Sequence, residues 1–570
     1  MSLIPAALET ATTLGVAGAP AGLVLPERVR GAVVGVLTAG VGVTGVAAGV
    51  AALGGSLWSA DVPGLLPLAG TYLAVDALSG LFMAVAGVVV AAVAIYGIGY
   101  VSGHGAHGEG SHGLGSRGAQ ALLPLFALTL ILVPAAASVS TFLLLWELMA
   151  LTSLLLVRAE HRARPAVREA AVWYAVTTHL GLVLLLAGLS AYAAQAGGET
   201  FADLRAGTAA VSPALRGLVF VLTAVAFTSK AGLVPLHAWL PRAHPEAPSA
   251  VSALMSATMV NLGVYGLVRV GFDLLGGGPA WWWLLVMVMG GLSAVYGILQ
   301  AAMASDLKRL LAYSTSENMG LVVLGVGAAG LFAHAGDTAL AGLALAAALL
   351  HVVNHSAFKA LLFGAAGSVL RATGERNLDL LGGLRARMPV TAGLFALGAL
   401  GAVALPPGNG FISEWLLLQS MIHGLAVPGV TVAIVLPLAV AVIALSAGLA
   451  AAVFVKALGV GFFARPRAEQ AAAAKESPPL MLAGMGLLAV LCAACLAETS
   501  PRPARASSKA VRAASTPPRF PDRATGIRPV IPRTPVAAGG ALRGSATLDQ
   551  LEIPTRRYLI SGAWEGQWIN

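Results

Sequence analysis

The chain has 570 residues, of which 58% are apolar and only 10% charged, with 69 Gly and 31 Pro, and its mean hydropathy is +0.84. An ordinary soluble globule carries about a quarter of its residues charged, so that class is excluded, and two cysteines exclude a disulfide scaffold. Most of the formal charge of +9 sits at the end. Residues 499–570 carry 11 Lys/Arg against 4 Asp/Glu, whereas the first 498 carry 23 against 21. A body so nearly balanced offers no footprint for nucleic acid. The Pro/Arg/Ala/Ser composition of the tail reads as disordered.

Apolar stretches long enough to cross a hydrocarbon core of ~30 Å fall near 3–25, 31–53, 74–100, 119–136, 138–157, 168–194, 213–241, 248–272, 280–304, 308–332, 338–370, 389–422, 427–458 and 478–498. The expected fold is an all-α polytopic protein of about fourteen spans in a lipid bilayer. The first basic residue is Arg28, so no charged region precedes the first apolar stretch and a cleaved signal peptide is not expected. Loops after odd-numbered spans carry 17 Lys/Arg and loops after even-numbered spans only Arg205, Arg216 and Arg269. Retention of basic residues in the cytoplasm then places the odd loops inside the cell and the N-terminus outside, in the cell membrane.

Lys230, Lys359 and Lys456 remain within spans. A charge at the bilayer centre costs at least ~2.5–3.5 kcal/mol, so it usually faces a polar interior and has a partner. Lys456, near a span end, is expected to snorkel to the interface. Span 5, STFLLLWELMALTSLLLV, places Glu147 in an apolar helix, and span 7 sets Lys230 immediately before Gly-Leu-Val-Pro. Proline frees backbone groups that a neighbour or water must satisfy. A broken helix beside a hydrated cavity follows, with Glu147 as the expected partner of Lys230.

Span 11 carries His351, His355 and Lys359 at i, i+4 and i+8, a polar stripe about 12 Å long on one helix face. Such a stripe could hold a metal, serve structural hydrogen bonding or conduct protons. No HExxH glutamate is present and the lysine repels a cation, which favours proton conduction by exchangeable imidazoles. Span 12, LGAVALPPGNGFISEWLLLQSM, is interrupted again, with Glu414 after the break. Two interrupted spans five helices apart suggest an internal repeat of transporter type.

His179, His237, and His244 with Glu246 are further candidates for a path, Asn261 could hold a water, and Glu317 lies deep in span 10. Asp306, Lys308 and Arg309 read as a helix cap and orientation signal. His104, His107 and His112 fall in a Gly-rich loop expected to be solvated, Cys492 and Cys495 read as packing, and Trp281, Trp282 and Trp283 read as an interfacial belt. No four-Cys cluster, Walker A sequence or suitably placed GxGxxG is present, so no redox cofactor is expected in this chain and no metal site is assigned.

At SKAGLVPLHAWLPRAHPEAPSAVSALMSATMVNLGVYGLVRV the chain resembles the antiporter-like proton-translocating family: the L, M and N subunits of respiratory complex I, Mrp antiporter subunits and membrane subunits of group 4 hydrogenases. LLWELM, SDLKRLLAYST, HVVNHSAFKALLFGAAGSVL and ALPPGNGFISEW match in the same order, over about residues 70 to 495. Within the family, YSTSENMG and PPGNGFISEW are most similar to hydrogenase-4 component B and formate hydrogenlyase subunit 3, whereas complex I subunits usually have His where Glu317 stands. The resemblance implies two inverted five-helix repeats, 119–272 and 280–458, after an N-terminal part, 1–118, and before helix 14, 478–498, and the tail, 499–570. It also implies a translocation line of Glu147, Lys230, His351, His355, Lys359 and Glu414, with helices 7 and 12 broken. Asn261 departs from relatives that have a lysine there. Implied partners are other membrane subunits and a peripheral iron-sulfur hydrogenase or dehydrogenase arm. Two alternatives are an Mrp-type cation/proton antiporter subunit and a non-pumping membrane scaffold for a redox arm.

Overall fold

The computed structural model of the chain describes residues 3–66, 69–102, 113–161 and 164–497. The loop residues His104, His107 and His112 and the tail 499–570 lie outside the described residues. Helices occupy the apolar stretches in order. They are α1 (Leu3–Val24), α2 (Glu27–Leu53), α3 (Ala77–Val101), α4 (Arg117–Leu132), α5 (Val139–Val157), α6 (Pro165–Ala196), α7 (Phe201–Gly207), α8 (Pro213–Lys230), α9 (Leu240–Glu246), α10 (Ser249–Leu254) and α11 (Val260–Val268). There follow α12 (Ala280–Met303), α13 (Leu307–His334), α14 (Thr338–Thr373), α15 (Leu384–Arg387), α16 (Pro389–Ala402), α17 (Asn409–Gly424), α18 (Val430–Leu458), α19 (Glu469–Ala472) and α20 (Pro479–Ala497). Among the described residues, eleven helical segments are long and apolar enough to cross a membrane, and 389–402 and 479–494 are shorter apolar helices.

The structure adds one element to the expected helices. An antiparallel hairpin, β1 (Trp58–Leu66) and β2 (Ala69–Val75), joins α2 to α3. Its second strand is tied to the body where the Ala137 amide donates to the Tyr72 carbonyl at 2.9 Å.

Both expected breaks occur. α8 stops at Lys230, and Gly232 follows with φ +78, where a Cβ would meet Leu240 Cδ1 at 2.2 Å, so glycine is required at that turn. The second break separates α16 from α17 around Pro406 and Pro407. Ser249–Leu274 forms one buried segment in which α10 and α11 are joined by a π-helical turn over Met255–Met259. Insertions of this kind are frequent at functional sites.

Charged residues gather at the two ends of the helices. At one end Glu246 pairs with Arg164 and, at 2.8 Å, with Arg376, which also reaches Asp306 at 2.7 Å; all four come from loops after odd-numbered spans. At the other end Arg269 holds Asp76 at 2.7 Å and Asp273 at 2.8 Å, while Arg205 holds Asp273 at 2.7 Å. Glu246, expected along a path, is therefore part of an ion network between loops. Arg269, counted with the loops, is buried at 5% exposure. The Trp belt is likewise corrected. Only Trp281 is exposed, while Trp282 stacks on Phe220 with centroids 4.3 Å apart and Trp283 on Phe272 at 4.3 Å.

Asp76 caps α3 by accepting from the Ser79 amide at 2.9 Å. Burial would raise its carboxyl, but the charge and hydrogen bonds of Arg269 outweigh burial and hold it well below the usual carboxylate range. A carboxylate lowered in this way stabilises the fold above its ordinary value of 3.8 and loses that contribution as pH falls below it. Breaking a fully buried pair costs about 3–5 kcal/mol. The Asp76 side chain keeps 41% of its exposure, so water compensates part of the loss and Arg269→Ala should cost about 2 kcal/mol. Thermal unfolding of the purified protein should show this deficit at neutral pH and a narrowing gap from wild type below about pH 4. A gap independent of pH down to that range would refute the assignment.

Candidate proton-transfer line

The end of α8 puts Lys230 in the interior at 4% exposure. Its Nζ donates to the Tyr174 hydroxyl at 3.2 Å and the Thr178 hydroxyl at 3.4 Å. It lies 5.3 Å from the Tyr174 ring centre and 5.9 Å from that of Trp146, an arrangement in which π faces stabilise a cation. Lys230, Trp146, Thr178 and Trp239 line a cavity of about 10 Å³, on the scale of a single water.

The expected Glu147–Lys230 pair is not formed. Glu147 Oε1 instead stands 3.0 Å from Nε2 of His179 on α6, and among the described residues no carboxylate comes within 4.0 Å of Lys230 Nζ. The reason is the side of the helix pair on which each group falls. Tyr174 and Thr178 face inward with the lysine, whereas the next residue, His179, is 48% exposed on the outer side, where it meets the carboxylate.

Between the halves, His237 packs edge-on against Tyr296 at 4.8 Å and its Nδ1 has no partner. His244 is fully buried against Phe363 at 5.0 Å, with both ring nitrogens unpartnered, and Lys308 and Lys359 are its ionic neighbours. The cap reading holds for Asp306, which accepts from the Arg309 amide at 2.9 Å. It fails for Lys308, which is 1% exposed and donates to the Ala247 carbonyl. Asn261 donates to the Ala257 carbonyl and the Ser356 hydroxyl, each at 2.7 Å, while its Oδ1 has no partner, an acceptor open to a water.

The second half holds a continuous polar line across four helices. On α13, Glu317 accepts from the Asn318 amide and, at 2.8 Å, from the Ser446 hydroxyl of α18. The Asn318 carbonyl oxygen meets His351 Nε2 on α14 at 3.1 Å, and His351 Nδ1 meets the Ser413 hydroxyl on α17 at 2.9 Å. Asn354 donates to the same hydroxyl at 3.0 Å and to the Asn409 carbonyl at 2.9 Å. Lys359, with no exposure, donates to the Ser314 hydroxyl and to the Leu311 carbonyl, and Glu317 is its ionic neighbour. His355 is buried with both nitrogens unpartnered, as is one oxygen of Glu414. Lys456 donates to the carbonyls of Ala302 and Ala304 at 2.8 and 2.9 Å, closing the end of α12.

The structure thus gathers His351, His355, Lys359, Glu317 and Glu414 around α14, and moves Glu147 from Lys230 to His179. Sequence reading missed Ser314, Asn318, Asn354, Ser413 and Ser446. Ser314 and Asn318 stand one turn apart on the face of Glu317, and Ser413 directly precedes Glu414, which was the available signal. Among the described residues no group of three His, Cys, Asp or Glu comes together as a metal site would require.

Comparison with known proteins places this geometry. Residues 136–441 match the transmembrane family described as NADH:quinone oxidoreductase/Mrp antiporter. An uncharacterized protein of Mycobacterium tuberculosis is 54% identical over 460 residues, covering 80% of this chain and 69% of that protein. Hydrogenase-4 component B of Escherichia coli is 42% identical over 355 residues, covering 62% of this chain and 52% of its own length. The solved Mrp complex of Dietzia sp. includes a chain that superimposes with TM-score 0.73 at 21% identity, covering 90% of this chain and 98% of that one, which shows a shared fold. The chain belongs to the NADH:quinone oxidoreductase/Mrp antiporter transmembrane family.

Proposed function

We propose that this chain is the proton-translocating membrane subunit of a multisubunit redox complex of the hydrogenase or quinone-reductase type, and that protons pass along Glu147, Lys230, Lys359, Glu317, His351 and Glu414. The observation that carries this reading is the hydrogen-bonded line Ser446–Glu317–Asn318–His351–Ser413, with Lys359 beside it, inside apolar helices. A scaffold would have no use for ionisable groups whose burial costs several kcal/mol, whereas carboxylates, imidazoles and amines within hydrogen-bond reach exchange protons.

His237, His244 and Asn261, each with an unpartnered polar atom, stand between the halves where waters would complete the path. Redox chemistry belongs to partner subunits in a peripheral arm. The loops gathered at Glu246 and Arg376 face the cytoplasm, in keeping with their basic residues. A neighbouring membrane subunit covers the outer side of α5 and α6, where Leu148, Leu151, Val176 and Val183 are exposed along with His179, at 48%, and part of Glu147. An ionisable pair facing lipid would be too costly to retain.

Lys230→Ala should leave the complex assembled and lower proton translocation in reconstituted vesicles by about 10²-fold or more, the range of a lost proton-transfer group. Wild-type acidification by that variant would refute the reading.

A further inference from the structure

His179 turns its Nδ1 to the Ala175 carbonyl at 2.7 Å. A carbonyl oxygen only accepts, so Nδ1 carries a hydrogen. The other ring nitrogen, Nε2, stands 3.0 Å from Glu147 Oε1. A neutral ring protonated at Nδ1 would turn a lone pair toward a carboxylate oxygen, leaving two acceptors in contact. One further proton therefore lies between them, shared as imidazolium with carboxylate or as imidazole with carboxylic acid.

We propose that His179 and Glu147 form a proton-holding pair that loads Lys230, with His179 a direct proton carrier. The inference rests on the function proposed above and adds a residue and a step to it. On each helix the residue one position before the pair touches the acceptor. Thr178, the residue before His179, accepts from Lys230 Nζ, and Trp146, the residue before Glu147, lies under Nζ. Glu147 Oε2 has no partner, which leaves the carboxyl one oxygen free to pass the proton on toward the water-sized cavity lined by Trp146, Thr178 and Lys230.

The step balances as a single proton transfer. The bond to hydrogen at Nε2 or Oε1 breaks, one forms at the neutral Nζ amine, the pair goes from net zero to −1, and the amine goes from zero to +1. The hydroxyls of Tyr174 and Thr178 and the faces of Tyr174 and Trp146 then hold the new ammonium. Lys230 is the charged group that α8 brings toward the pair, and Tyr174 is the titratable neighbour on α6.

The test uses the assembled complex in vesicles with His179→Gln, His179→Arg, Glu147→Gln and the double variant His179→Gln/Glu147→Gln. Gln keeps a hydrogen bond to the carboxylate and Arg keeps the ion pair, but neither exchanges a proton near neutral pH. Each assembled single variant should translocate at least about tenfold fewer protons per turnover, and the double variant should be no worse than the singles, as for residues that act as one unit. Infrared difference spectra during turnover should show a protonation change that disappears in Glu147→Gln and in His179→Gln. Wild-type translocation by either His179 variant, or additive losses in the double variant, would overturn the proposal. If Lys230→Ala is inactive while His179→Gln pumps normally, only this inference fails; if Lys230→Ala pumps normally, the underlying reading fails with it.

Discussion

A chain carrying Lys359→Ala is expected to assemble normally and to translocate protons at least about 100-fold more slowly than wild type, read as dye quenching in vesicles driven by the partner subunits. Lys359 is wholly buried, with Ser314 and the Leu311 carbonyl as hydrogen-bond partners and Glu317 as ionic neighbour. Its position below His355 and His351 on one face of α14 puts it between the two halves of the line. Truncation also leaves a cavity, which costs about 2–5 kcal/mol in a packed interior, so two companion variants separate chemistry from packing. Lys359→Met keeps the volume without a titratable group and should be as inactive as Ala. Lys359→Arg keeps a permanent positive charge that does not leave the side chain; it should be inactive too if the lysine must release its proton. Normal pumping by Lys359→Arg would mean that the residue serves only as a fixed charge, and normal pumping by Lys359→Met would remove it from the line.

Helix positions were legible because the length of an apolar run measures a span directly. The breaks were legible because Gly232 with Pro235, and Pro406 with Pro407, leave the backbone few alternatives. The hairpin was not, because Gly-Leu-Leu-Pro-Leu-Ala-Gly at 64–70 looks like a linker, and its strands are fixed by a distant contact with residue 137. Charged residues at the site announced themselves by their cost in an apolar helix. Their partners depended on which face of a neighbouring helix each side chain meets, and sequence spacing along one helix says nothing about that. Glu147 was assigned to Lys230 on charge alone, whereas the turn of α6 delivers His179 to it. Neutral residues were harder still. Thr228 bonds the carbonyl four residues back on its own helix, and so does Asn318, yet only Asn318 also joins two ionisable groups, Glu317 and His351.

Glu317 gained most from the structure, and Glu317→Gln is expected to lower translocation about as strongly as loss of Lys359, by about 10²-fold. The amide preserves the size of the side chain, its oxygen can still accept from Asn318 and its NH2 can donate to the Ser446 hydroxyl, so packing of α13 against α12 and α18 is retained. That packing is tight. A Cβ at Gly297 would lie 2.6 Å from the Glu317 backbone nitrogen, so the backbones of α12 and α13 pack in contact there. What the substitution removes is the negative charge and, with it, exchange of a proton by a side chain that Asn318 links to His351 and that has Lys359 as its ionic neighbour. Glu317→His supplies the complementary result. The resemblance puts a histidine at this position in complex I subunits, and an imidazole titrates near neutral pH, so this variant should recover a measurable part of the activity that Glu317→Gln loses. A structural role for the carboxylate predicts the reverse order, with the near-isosteric Gln active and the bulkier ring inactive. The two variants together therefore decide whether Glu317 carries protons or only holds Asn318 and Ser446 in place.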